Sequence, residues 1–511
     1  MEKSGKKKAE PQSGAGHPVG PDVLGMQSDP CLEFRGGRFM ALVPLLGFLF
    51  FCILYLTVLH SYEMSSLVMG AFVSFLIGSV LAKPKHRSNF WEAVFEGMRS
   101  AIPILVIQMV IGMFAALMKA CDISTGFVWL AQITGVEGNA FTAFTFLATC
   151  IIATATGSSL GTIFICFPLF YPSGVTLGAD PALIAGAIVC GGIFGDHIAP
   201  VSDTTIVSAS TQHYRASGKS CDIGGCVATR AKYAITAAAI SFCLYLFIGD
   251  GSSLAGSSEG LESIGEGNAI SLVMLIPVCI MLAVAIKTRD MLMATTVGLV
   301  IGTIVSLATG VVTPSEILSV SDGNPEGFLT DGISSMMPVA VLTVSIYGIT
   351  GVLSASGLLG ELTDRICNSR ICSTPRGAET AIMLGISITT LAFCGITTAA
   401  IALFGTVEDD IGKRTGLHPY RRANLLDGFA NGIVLVVPFL SALVLIAASL
   451  TTGYAGVPEL APMQISGGMF YCYLIFAVLM VSVITGWGRI FEEPDEKEHT
   501  GDKDTEEAPG N

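Results

Sequence analysis

Charge is what this 511-residue chain has least of. Only 13% of its residues are Asp, Glu, Lys or Arg, about half of the ~25% usual in soluble domains. No Lys or Arg occurs between Lys119 and Arg215, or between Arg422 and Arg489. A water-soluble fold must coat itself with charge, so these deserts exclude one. The apolar runs last ~20 residues instead of the ~10 of a barrel strand, which excludes a membrane barrel. No cleavable signal peptide is expected, because the first apolar run begins near Phe39 and is long enough to span. Metal-ligand spacing is missing too: most of the 14 cysteines lie inside apolar runs and read as small packing residues. Two Cys-x4-Cys pairs, Cys221/Cys226 and Cys367/Cys372, fall in loops, where free thiols are expected in place of a zinc site.

The composition that remains describes an all-α polytopic membrane protein. Spanning runs lie near residues 39–59, 64–82, 100–120, 229–249, 269–286, 291–310, 336–356 and 468–487. Runs 181–212 and 421–450 are longer and hold a central proline, Pro200 and Pro438. Runs 140–171 and 378–407 carry a Gly-Ser/Thr cluster at their centre and read as helical hairpins. The expected organisation is a disordered cytoplasmic segment 1–38, a first membrane repeat 39–250, an external linker 251–268, a second repeat 269–488 and an acidic tail 489–511. Nine of the 40 acids lie in Phe491–Asn511, so the net charge of −13 reflects a solvated tail, not an acidic partner site. Basic loops at 83–87, 215–232, 287–289, 365–376 and 413–422 alternate with the loops 250–268 and 311–335, which contain acids and no Lys or Arg. That pattern places both termini in the cytoplasm.

The chain also repeats itself. The stretch from Glu96 to Pro103 recurs as Asp331 to Pro338, a shift of 235, and Gly157, Pro181 and Pro200 match Gly395, Pro419 and Pro438 at a shift of 238. The first copy of the opening motif falls in a basic, internal region and the second in an acidic, external one. Two inverted-topology repeats of five spans plus one hairpin each are therefore expected, with broken helices at mid-membrane.

The candidate site is Gly191–Thr205. Pro200 has no N–H and crowds the carbonyl of Asp196, so a freed oxygen should appear beside Asp196, Asp203, Ser202, Thr204 and Thr205. Each Asp at the bilayer centre costs ~2.5–3.5 kcal/mol, and no Lys or Arg partner occurs from Ala120 to Tyr214. Either protons or a cation from solution must complete the acids, and a site alternating between those two states is a cation/proton exchanger. Asp203 could instead cap a half-helix, and His197 could relay protons or bond the broken backbone. The mirrored segment supplies Asp427 and Asn431 on one helical face, Asp427 having an ion pair with Arg421 or Arg422 as its alternative role. Thr156, Ser158 and Thr397 flank the hairpin glycines and offer neutral oxygens suited to a hard cation.

The block Gly195-Asp196-His197 with Pro200-Val201-Ser202-Asp203-Thr204-Thr205 resembles the signature of the NhaC family of Na⁺/H⁺ antiporters. Arg422-Ala423-Asn424-Leu425-Leu426-Asp427 with Pro438, and Thr156-Gly157-Ser158-Ser159-Leu160-Gly161-Thr162, are similar to two further blocks of that family. Ala199 and Ser158 depart from its usual Ser and Thr, and Val434–Phe439 is apolar where a polar run is common. The resemblance implies a secondary transporter, not an enzyme, of the bacterial cytoplasmic membrane. Its expected action is exchange of Na⁺, or Li⁺, for H⁺ by alternating access, with Na⁺ held at Asp196 and Asp203. Na⁺, H⁺ and the bilayer are the expected partners, with no cofactor and no nucleic acid; a homodimer stays open. Exchange of a small organic anion of malate/lactate type, or of an amino acid, is the alternative. An intramembrane hydrolase is disfavoured, because Gly157-Ser158-Ser159-Leu160-Gly161 lies in a helical run without the strand-to-helix turn that a nucleophile elbow needs.

Overall fold

The computed structural model describes residues 32–59, 64–136, 138–248, 268–288, 290–321, 323–358, 361, 365, 369–433, 438–454 and 456–492. The segment up to residue 31, the linker from 251 to 267, Cys367 and the tail from 493 lie outside the described residues.

The first half runs through helices α1 (Val43–Ile53), α2 (Met64–Leu81), α3 (Arg87–Ser100), α4 (Ile102–Ala120) and α5 (Ile123–Thr134). It continues with the hairpin arms α6 (Gly138–Thr156) and α7 (Ser159–Thr176), the broken pair α8 (Pro181–Ile198) and α9 (Asp203–Ser210), and α10 (Ile223–Phe247). The second half follows the same order. It comprises α11 (Leu275–Thr288), α12 (Met291–Thr309), α13 (Phe328–Ala355), the hairpin arms α14 (Pro375–Ala392) and α15 (Thr397–Thr415), the broken pair α16 (Pro419–Ile433) and α17 (Ala442–Ser449), and α18 (Phe470–Thr485). Among the described residues eight helices are long and apolar enough to cross a membrane, some of them hairpin arms. The chain is an all-α polytopic membrane protein; its β structure, among the described residues, is a small antiparallel hairpin of β1 (Ser319–Ser321) and β2 (Asn324–Glu326), with Val320 opposite Pro325.

Local chemistry starts these helices where the sequence breaks. Asp180 Oδ1 accepts from the N–H groups of Ala182 and Leu183, with Pro181 at the first position of α8, a place where its missing N–H costs nothing. Asp222, Asp290 and Thr374 cap α10, α12 and α14 in the same manner.

Two features differ from expectation. Helix α13 starts at Phe328, eight residues before the apolar run at 336, because Phe328 is buried and Asp331 in the first turn suits the positive helix start. Helix α3 was not expected, since its charges Glu92, Glu96 and Arg99 break the apolar run. Its buried residues Phe90, Ala93, Val94 and Gly97 nevertheless form a stripe at helical spacing.

That stripe and α4 lie along α13, and the two halves meet there at very close range. A Cβ on Gly97 would stand 2.2 Å from the carbonyl oxygen of Tyr347, and one on Gly112 would stand 2.4 Å from that of Gly332. Only glycine permits such an approach. Between the two crossings, Gln108 Nε2 donates to Thr343 Oγ1 over 3.1 Å, both residues being buried. These positions are equivalents at the shift of 235. A residue touches its own equivalent only on a two-fold axis, so the bond marks the pseudo-dyad that relates the inverted repeats.

Candidate functional site

Both hairpin tips turn on glycine in the left-handed region, Gly157 at φ 69° and Gly395 at φ 80°. Both broken helices stop beside them. Helix α8 ends at Ile198, and Pro200 leaves the carbonyl of Asp196 without its helical donor. Thr205 replaces that donor: its Oγ1 donates to the Asp196 carbonyl over 2.8 Å. The freed oxygen expected to face a ligand is therefore occupied, and Thr205 serves the break itself.

Ser202 occupies the N-cap position of α9, yet its hydroxyl makes no cap bond. It donates instead to Asp196 Oδ1 over 3.1 Å and lies 3.2 Å from Thr204 Oγ1. Asp203 opens the first turn of α9, with an exposed side chain that lines the central cavity. Asp196 lines the same cavity from the end of α8 while only 5% exposed.

The cavity measures about 140 Å³. Its walls come from equivalent positions of the two halves at the shift of 238: residues 157–160 and 395–398 from the hairpin tips, Ile193 and Asn431, Thr204 and Ala442. Ile104, Thr343 and Tyr347 close the side towards the pseudo-dyad. Among its lining residues are two carboxylates, several hydroxyls and one amide, and no Lys, Arg or His. Of the sequence candidates, Asp196, Asp203, Ser202, Thr204, Ser158, Asn431 and Thr397 line it. Ser158 also caps α7, accepting from Gly161 N–H over 3.2 Å.

Four candidates lie elsewhere. Thr156 is buried behind the tip, 3.0 Å from Thr162 Oγ1. Thr205 is committed to the Asp196 carbonyl. His197 is fully buried, its Nδ1 2.8 Å from the hydroxyl of Tyr471, so it bonds neither the broken backbone nor a cavity group. Asp427 is fully buried in an ion pair with Arg230 of α10, and accepts from Asn431 Nδ2 over 2.7 Å.

Arg230 corrects the expectation that no cationic side chain lies near the site. It follows Asp203 by 27 residues in the chain, inside a loop that reads as cytoplasmic, but the start of α10 is folded against the break. Its Nη1 donates to Thr205 Oγ1 over 3.1 Å and its Nε to Asn424 Oδ1 over 3.1 Å. Thr205 thus stands between the guanidinium and Asp196, and the guanidinium forms its ion pair with Asp427. Arg421 and Arg422, the partners considered for Asp427, are spent on Glu379 and Asp409. The pair Arg230–Asp427 had no sequence signal beyond an arginine close to an apolar run. Ser159, Thr343, Tyr347 and Thr398 are further oxygen-bearing lining residues that sequence reading did not select; the first and last could have been found from their place beside the tip glycines.

Cys221 and Cys226 are free thiols with sulfurs 3.3 Å apart. Among the described residues no cluster of three or more His, Cys, Asp or Glu could hold a metal.

A family model described as the Na+/H+ antiporter family matches residues 36–249 and 267–435. The Na(+)/H(+) antiporter NhaC of Alkalihalophilus pseudofirmus is 35% identical over 115 residues, 22% of this chain and 24% of that protein. The malate-2H(+)/Na(+)-lactate antiporter of Bacillus subtilis is 26% identical over 144 residues, 28% of this chain and 31% of that protein. Both matches cover well under two thirds of the relative. The arginine/ornithine antiporter ArcD of Halobacterium salinarum is 23% identical over 428 residues, 80% of this chain and 84% of that protein. With most of its length matched by one family model, its membrane helices in inverted halves and its acidic cavity at their meeting point, the chain belongs to the Na⁺/H⁺ antiporter family of NhaC type.

Proposed function

We propose that this antiporter exchanges Na⁺ for H⁺ at the cavity between the hairpin tips. The observation that carries the reading is the cavity's composition: Asp196 and Asp203 share it with hydroxyl and amide oxygens, and no cationic side chain lines it. Oxygen donors with net negative charge suit a hard cation. Two protons can replace that cation on the carboxylates, so occupancy by one excludes the other. Asp427, paired with Arg230, supports the site through Asn431 and does not bind cargo. Na⁺ and H⁺ enter as cargo, and the scheme calls on no resident cofactor. The natural setting is the bacterial cytoplasmic membrane, with both termini inside.

Alternating access then requires the cavity walls to move. The halves interlock across the dyad, so each moving unit draws on both: α3, α4 and α13 form one tightly packed group, and both hairpins with both broken helices form the other. The charged ligands all belong to the second group. Motion between the groups exposes the site to either side.

Transport of a small organic molecule is the second reading. Two relatives bear names of organic-acid and amino-acid antiporters, and an acidic cavity suits an ammonium or guanidinium group. Its volume of about 140 Å³ falls below the ~300–1,000 Å³ usual for organic ligands, which favours the ion. Everted vesicles carrying a pH indicator separate the two. Na⁺ addition should collapse an imposed pH gradient, whereas malate, lactate, arginine and ornithine should leave it unchanged. A response to one of these and not to Na⁺ would overturn Na⁺/H⁺ exchange.

A further inference from the structure

Glu408 lies on α15, eleven residues beyond Thr397, which lines the cavity. Eleven residues are close to three helical turns, so both side chains share one face about 16 Å apart along the axis. Buried Ile401 and Phe404 fall between them. Glu408 itself is fully buried, and neither carboxyl oxygen has a hydrogen-bond partner. Among the described residues no other carboxyl group has both oxygens in that state. An ionised carboxylate held in this way is costly; the neutral acid fits.

The nearby charges are spent elsewhere. On α15, Asp409 receives Arg422, Lys413 and the main-chain N–H of His213, whose ring Nδ1 lies 3.3 Å away. Arg422, from α16, packs its stem against Gly412, one turn beyond Glu408, and gives its second nitrogen to the carbonyl of His213 over 2.9 Å. On α14, Glu379 binds Arg421 and Arg489, and Arg376 is exposed.

Helix α9 carries hydroxyls from the cavity towards the turn of α15 that holds Glu408, with Ser208 and Thr211 donating to the carbonyls of Thr205 and Ser208. Thr204, Ser208 and Thr211 recur at i, i+4 and i+7 along the α9 register, and so occupy one face. Thr204 lines the cavity. Thr211 lies against Gly405, where a Cβ would come within 2.4 Å of its Oγ1, and Gln212 Nε2 donates to the Gly405 carbonyl over 2.9 Å. Gly405 is one turn from Glu408.

We propose that Glu408 is a second proton-binding site, which passes the exchanged proton between the cytosol and Asp196 and Asp203 along the hydroxyl face of α9. This rests on the exchange reading above. In each transfer one O–H bond breaks at the donor as one forms at the acceptor, the hydroxyls and water between them handing the proton on. Glu408 regains its proton from cytosolic water, and no electrons change hands.

The test uses the full-length protein in vesicles and reads two fluxes, Na⁺-driven proton movement and ²²Na⁺/Na⁺ counterflow, the second needing no net proton transfer. Glu408→Gln should lose proton movement by about a hundredfold, the scale of a lost acid–base group, while keeping most of its counterflow. Glu408→Asp should recover part of the proton flux. Infrared spectroscopy of the purified protein should show a protonated-carboxyl band that Glu408→Gln lacks and Asp203→Asn retains. Normal proton movement in Glu408→Gln, loss of both fluxes together in the folded variant, or an unchanged infrared band would each overturn the assignment. A wild-type protein that moves Na⁺ without protons would instead overturn the exchange reading, and this assignment with it.

Discussion

Gln108 and Thr343 are the same position in the two halves of the chain, 235 residues apart, and they are hydrogen-bonded to each other over 3.1 Å. The pseudo-dyad therefore passes through a polar contact inside an apolar wall. Thr343 also faces the cavity, so the axis that relates the repeats points at the site where cargo is proposed to bind.

Removing either cavity carboxylate should stop exchange. Asp203→Asn and Asp196→Asn keep size and hydrogen-bonding capacity but remove the charge that opposes Na⁺. Na⁺-driven proton movement should fall by about a hundredfold or more in each, measured in vesicles with matched protein content. Ser202→Ala removes a neutral lining hydroxyl that donates to Asp196 and touches Thr204, and leaves both carboxylates in place, so it should leave a several-fold weaker but working protein. Activity near wild type in Asp203→Asn would exclude that carboxylate from the mechanism.

Protons and Na⁺ should compete for those carboxylates. Lowering the pH fills them with protons, so the Na⁺ concentration for half-maximal counterflow should rise as pH falls and level off at high pH. The limiting slope is about tenfold per pH unit for each proton displaced. A half-maximal concentration that stays constant with pH would argue for separate binding sites.

The pair Arg230–Asp427 should behave as a unit. Arg230→Met alone leaves Asp427 buried and unpaired, a loss of about 3–5 kcal/mol. Arg230→Met combined with Asp427→Leu should regain most of that stability, because the charge that needed a partner has gone. Thermal unfolding in detergent of both single variants and the double variant measures the coupling. Additive losses would mean that the two side chains do not depend on each other.

Thr205→Val should separate local structure from charge. The change preserves shape but strips the donor from the Asp196 carbonyl and the acceptor from Arg230 Nη1. A buried carbonyl left without a partner costs about 1–3 kcal/mol, so the melting temperature should drop while Thr205→Ser restores it. Equal stability of the Val and Ser forms would show that the hydroxyl does not hold the break.

Much of the architecture was legible because hydrocarbon imposes length and charge rules that leave a strong trace. The deserts between Lys119 and Arg215 and between Arg422 and Arg489 marked the spans, and the matched prolines marked the broken helices. Asp196 and Asp203 stood out since charge there is rare. Partner choice was not legible. Arg230 reaches Asp427 across nearly two hundred residues of chain, and Thr205 claims a carbonyl nine residues back only because α9 folds beside α8. Helix α3 is hard to read from sequence for a different reason: its polar face breaks the apolar run, while the stripe that buries it depends on α13 being present.

The cavity walls are matched in position but not in chemistry. At the sequence shift of 238 Asp203 pairs with Ser441 and Asp196 with Val434, and both carboxylates that line the cavity come from the first half. A device built from unequal halves cannot present identical faces to the two sides of the membrane. Its inward and outward resting states must differ in energy, and its transport cycle therefore has a built-in preferred direction of rest, which the ion gradients then work with or against.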